Sequence, residues 1–95
     1  MKTIREVCVE SFDEAVRAVK AGATRIELCE NLTVGGTTPS MGTIKQCLKK
    51  LAVPVMVMIR PRGGNFVYTD DELEIMKEDI ALCRELGVYG VVLEF

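Results

Sequence analysis

Apolar residues along this chain fall into short β-rich runs separated by stretches with helical spacing. Ile4–Val9 is the first such run. Ser11-Phe12-Asp13-Glu14 then reads as a capping box, with Ser11 as N-cap and Glu14 three places on. Phe12, Ala15, Val16 and Val19 follow at i, i+3, i+4 and i+7, which predicts a helix over 12–20 that Gly22 closes. Thr24–Cys29 is a second strand. The loop Glu30–Pro39 contains Gly35-Gly36, and Ser40 caps a helix over 41–50 that carries Ile44, Cys47, Leu48 and Leu51 on one face. Pro54 opens a strand at Val55–Arg60, an acceptable place for a residue without an N–H. After the loop Pro61–Tyr68, Thr69-Asp70-Asp71-Glu72 is a second capping box. Its helix runs to Leu86 with Leu73, Met76, Ile80 and Cys83 inward, and Gly87 ends it. Gly90–Phe95 is the fourth strand. The order βαβαβαβ predicts a parallel sheet with right-handed crossovers.

The strand faces narrow the architecture. Ile4, Glu6 and Cys8 share one face of the first strand, and Arg25, Glu27 and Cys29 one face of the second, opposite Ile26 and Leu28. In the third, Met56, Met58 and Arg60 oppose Val55, Val57 and Ile59. In an open doubly wound sheet both faces meet helices, and the glutamates would be buried at a cost. In a closed (β/α)8 TIM-type barrel one face lines the interior, and polar groups near the C-terminal rim belong to the active end. The chain therefore reads as α/β, a single domain over 1–95 that supplies a βαβαβαβ half of such a barrel, with Met56, Met58, Val91 and Leu93 toward the lumen.

Composition and charge exclude several classes. At 95 residues and 48% hydrophobic content the chain has room for one modest core and is not disordered. Net charge is −2, and the acidic excess sits mostly between Asp70 and Glu85, so nothing forms a basic footprint for nucleic acid. No apolar run approaches the ~18 residues of a membrane span. With no histidine, Ser-His-Asp and Cys-His pairs and His-rich metal sites are absent from this chain. Four cysteines without a C-x-x-C pair, and no secretory h-region, point to free thiols in a reducing cytoplasm.

Three groups of residues carry candidate chemistry. Cys8 and Cys29 fall on the same face of adjacent strands and, by this reading, at one level; they are either small core residues or a pair of thiols suited to a soft metal such as Cu(I), to which Met56 or Met58 could add a thioether. Glu6 and Glu27 on that face suit general acid–base catalysis, or a salt-bridge network with Arg60. Arg60 and Arg62, beside Gly63-Gly64, can hold a phosphate or carboxylate, with Gly35-Gly36 adding backbone N–H donors, or can serve the loop alone. Cys47 and Cys83 sit on the apolar stripes of helices and read as core.

Taken together, Glu-Val-Cys-Val-Glu-Ser (6–11), Gly-Ala-Thr-Arg-Ile-Glu-Leu-Cys (22–29), Gly-Gly-Thr-Thr-Pro-Ser-Met-Gly (35–42) and Met-Ile-Arg-Pro-Arg-Gly-Gly-Asn-Phe-Val-Tyr (58–68) resemble the CutC family of copper homeostasis proteins. The resemblance implies a TIM-type barrel, a cytoplasmic location and Cu(I) binding, with the family's proposed ligands falling on Cys8 and Cys29. It leaves room for an enzyme acting on a small anion held by Arg60 and Arg62, with Glu6 or Glu27 as acid or base. Members of the family are longer, so the chain corresponds to their first half. As an isolated half-barrel it is expected either to pair with a second copy, the fourth strand of each meeting the first strand of the other, or to be poorly soluble.

Overall fold

A computed structural model describes residues 3–93. Four strands, β1 (Glu6–Val9), β2 (Arg25–Leu28), β3 (Val55–Ile59) and β4 (Gly90–Leu93), alternate with three helices, α1 (Phe12–Lys20), α2 (Met41–Lys50) and α3 (Asp70–Leu86). The strands form one all-parallel sheet in the order β1-β2-β3-β4, the arrangement of half a TIM-type barrel. The alternation of periods in the sequence thus specifies both the elements and their sequential order. The strands are one or two residues shorter than their apolar runs: Ile4 and Arg5 precede β1, and Cys29 and Arg60 lie just beyond β2 and β3. The expected end of the fourth strand, Glu94-Phe95, lies outside the described residues.

The helix termini follow local chemistry. At α3 the Thr69 hydroxyl accepts from the Glu72 N–H at 3.1 Å and the Glu72 carboxylate accepts from the Thr69 N–H at 2.9 Å, a complete capping box. At α1 only half of the expected box forms. The Ser11 hydroxyl accepts from the Glu14 N–H at 3.1 Å, but the Glu14 carboxylate turns to that same hydroxyl rather than to the Ser11 backbone. Gly87 ends α3 at φ 84°, a left-handed conformation that suits a residue without a Cβ.

The core lies between the sheet and the helices. Val9, Ile26, Leu28, Val55, Val57 and Ile59 meet Ala15, Ile44, Cys47, Met76 and Cys83, all buried. Ile80 packs against this cluster, but Leu73, expected inward, stays 37% exposed. One further expectation needs correction. The ladder opposes Met56 to Gly90 and Met58 to Val92, so Gly90 and Val92, not Val91 and Leu93, share the lumen face with the methionines. Val91 instead packs toward the helices. The side chains on that lumen face are otherwise Arg25 and five positions the candidate chemistry uses, Glu6, Cys8, Glu27, Met56 and Met58.

Candidate metal centre

Cys8 and Cys29 meet at the C-terminal mouth. They are not at one level of the ladder: Cys8 opposes Glu27, and Cys29 follows one place after the last strand residue, Leu28. The side chains nevertheless bridge this diagonal offset, and the two Sγ atoms lie 3.7 Å apart. Backbone pairing continues past the strand end, with the Cys29 N–H donating to the Val9 carbonyl at 3.0 Å, and this fixes Cys29 beside β1. The Cys29 thiol donates to the same carbonyl at 3.5 Å, which leaves its sulfur free to accept from the Cys8 thiol.

Burial distinguishes the cysteines. Cys47 and Cys83 belong to the helix-side core. Cys29 is equally inaccessible, at 0% exposure, but lies outside that cluster, on the mouth side with Cys8. Cys8 is exposed, so a small ion can approach the pair from its side. Both thiols are held in the protonated form. Burial pushes the Cys29 thiol up to about 12, reinforced by the contact with Cys8 and by the Glu27 and Glu10 carboxylates. Cys8 is also raised, chiefly by burial and then by Glu27, Glu6 and Glu10, against the lowering effect of its contact with Cys29. Such thiols are poor nucleophiles at neutral pH. A soft cation can still displace their protons, and the neighbouring carboxylates favour its positive charge.

The remaining candidates are placed differently. Glu6 pairs with Arg25, whose Nε donates to it at 2.7 Å, and not with Arg60. Glu27 stands level with Cys8 on one side and Met56 on the other. Arg60 is only 6% exposed and turns its guanidinium into the loops. It donates to the carbonyls of Val34 at 2.7 Å, Gly36 at 2.9 Å and Gly64 at 2.8 Å, and stacks over the Phe66 ring at 4.8 Å. Its Nε is buried with no partner. Arg62 gives two N–H groups to the Glu72 carboxylate and three to the carbonyls of Gly63, Asn65 and Val67, which uses all five of its donors. The Gly35 and Gly36 N–H groups donate to Leu32 and Asn31 carbonyls. The donors that the sequence offered to an anion are therefore largely committed to the two loops.

Two contributors are invisible in the sequence pattern. Gly36, at φ 96°, packs its backbone on both Met58 and Cys29: a Cβ there would lie 2.7 Å from Met58 Sδ and 3.5 Å from Cys29 Cβ. Arg25 neutralises Glu6, a pairing that the shared face of the two residues permits and the strand register decides. Among the described residues no three cysteine, histidine or carboxylate groups converge as a metal cage. A cavity of about 530 Å³ opens at the opposite end of the sheet, lined by Thr3, Ile4, Thr24, Arg25, Pro54 and Tyr89, away from the thiols. No helix among the described residues is long and apolar enough to cross a membrane.

Comparison with known proteins agrees with this fold. The chain is 53% identical over 89 residues to the human copper homeostasis protein cutC homolog, covering 94% of this chain and 33% of the human protein. It is 53% identical over 93 residues to the family protein CutC of Enterococcus faecalis, covering 95% of this chain and 44% of that one. The crystal structure of the putative copper homeostasis protein CutC from Streptococcus agalactiae superposes with a TM-score of 0.91 at 50% identity, over 99% of this chain and 46% of that one. The chain thus spans between a third and just under half the length of these relatives. The model of the CutC family matches residues 3–95, and the chain belongs to that family.

Proposed function

We propose that the chain binds Cu(I) as cargo through the thiolates of Cys8 and Cys29, in a copper homeostasis role carried out in the reducing cytoplasm. One observation carries this reading: two thiols from adjacent strands, outside the helix-side core, with Sγ atoms 3.7 Å apart and one of them open to solvent. Thiolate sulfur is the donor that selects Cu(I) over harder ions. The names of the human and streptococcal relatives point the same way. Binding replaces two S–H bonds by two Cu–S bonds and releases two protons, so affinity rises with pH.

The test is competition for Cu(I) against a chromophoric chelator. Cys8→Ser with Cys29→Ser abolishes competitive binding, whereas Cys47→Ser with Cys83→Ser leaves it intact. Retained affinity in the first double variant rejects the reading.

Expressed as these 95 residues alone, the sheet has β1 and β4 as its edges. Edge strands and the methionine-bearing lumen face favour a homodimer in which β4 of each copy pairs with β1 of the other. Light scattering at micromolar concentration shows twice the chain mass if this holds, and a soluble folded monomer rejects it.

A further inference from the structure

The geometry points to Met58 as a third sulfur donor in the Cys8–Cys29 centre, which we propose binds Cu(I) through two thiolates and one thioether. This inference rests on the Cu(I) reading above. Two thiols alone leave the ion without a third protein ligand, and no further cysteine, histidine or carboxylate joins them in a metal cage among the described residues. A thioether is a soft, uncharged donor that suits Cu(I) and requires no deprotonation.

The register selects which methionine. Glu27 opposes Met56 and Leu28 opposes Val57, so Cys29, one place further on, runs level with Met58. Met56 leans away: its Sδ and Cε each lie 3.0 Å from where a Cβ would stand on Gly90, beside β4. Met58 packs on Gly36, the glycine that Cys29 also approaches. A single point above Gly36 is 2.7 Å from Met58 Sδ and 3.5 Å from Cys29 Cβ, so the thioether and the buried cysteine pack against the same glycine. Cys8 Sγ is 3.7 Å from Cys29 Sγ on the other side. Three sulfur-bearing side chains, from β1, the end of β2 and β3, therefore stand side by side on one rim, with Cys29 between Cys8 and Met58.

Gly36 and Arg60 hold this arrangement without touching the ion. Any side chain at Gly36 would take the space that Met58 Sδ occupies. Arg60, two residues after Met58 on the chain, fixes the Gly36 carbonyl at 2.9 Å and the Val34 carbonyl at 2.7 Å, and so keeps the loop seated over the sulfurs. Arg60 is thus a positioning residue for the centre.

The experiment compares Met58→Leu with Met56→Leu, volume-conserving changes that a packed site tolerates, and monitors folding by circular dichroism. Cu(I) affinity is read by chelator competition, and the number of sulfurs around the metal by X-ray absorption. Met58→Leu should weaken binding by about tenfold or more, the scale of losing even an outer partner of a metal ligand, and reduce the shell from three sulfurs to two. Met56→Leu should change neither. Unaltered affinity or an unaltered sulfur count in Met58→Leu overturns the inference. Loss of binding in Cys8→Ser with Cys29→Ser, alongside full affinity in Met58→Leu, rejects the third donor while sparing the thiol pair. Retained binding in the cysteine double variant rejects both.

Discussion

The guanidinium of Arg60 donates to the carbonyl of Gly36 at 2.9 Å, joining the end of β3 to the loop between β2 and α2. With its bonds to Val34 and Gly64, this one side chain staples two loops at the mouth of the sheet. Arg60→Met strands three carbonyls and should lower stability by about 3 kcal/mol, since hydrogen bonds to charged groups contribute 1.5–3 kcal/mol each and the changes do not add fully. Arg60→Lys should recover only part of this, because an ammonium cannot reproduce the planar fork. Urea unfolding measures both. An Arg60→Met protein within 0.5 kcal/mol of wild type would mean that the loops are held by other contacts.

Much of this was legible from residue patterns, and the limits have physical causes. The periods of two and 3.6 residues give the strands and helices, and the parity of Glu6, Cys8, Glu27, Met56 and Met58 gives the lumen face. Parity does not give register. Val91 and Leu93 were expected in the lumen because β4 is apolar on both faces, and only its pairing with β3 decides which face is which. The Cys8–Cys29 pair was likewise legible as a shared face but not as a diagonal contact. Arg60 and Arg62 looked available to an anion because nothing in a linear sequence shows that carbonyls of a folded loop will consume their donors.

The Cys29 thiol is pushed up to about 12 from an ordinary 9.0. The folded state therefore retains a proton that the unfolded chain releases, and the associated stability is fully present below pH 9 and is lost as pH climbs toward 12. Alkaline unfolding should be steeper in the wild type than in Cys29→Ala, which has no thiol to ionise there. Unfolding free energies measured from pH 8 to 11 provide the comparison, and equal slopes for the two proteins would contradict it.

Glu72 works at the acid end. The Arg62 guanidinium and the Thr69 N–H hold its carboxyl below the usual 4.5. Its stabilisation is present above that value and is lost as pH falls through the lower folded-state value. Glu72→Gln should reduce stability at pH 7 and flatten its decline between pH 5 and 3 relative to wild type. Acid titrations followed by circular dichroism measure this, and parallel acid limbs would show that the Arg62–Glu72 pair contributes nothing through charge.

Site-specific alkylation read by mass spectrometry, with and without one equivalent of Cu(I), tests the paired-thiol account most directly. Cys8 is the exposed cysteine, while Cys29, Cys47 and Cys83 are buried. In the metal-free folded protein a pulse of iodoacetamide should modify Cys8 first. One equivalent of Cu(I) should suppress that labelling, and Cys29→Ser should abolish the protection by removing the partner thiolate. Labelling of Cys8 at the same rate with copper bound, or full protection of Cys8 in Cys29→Ser, would contradict binding by the pair.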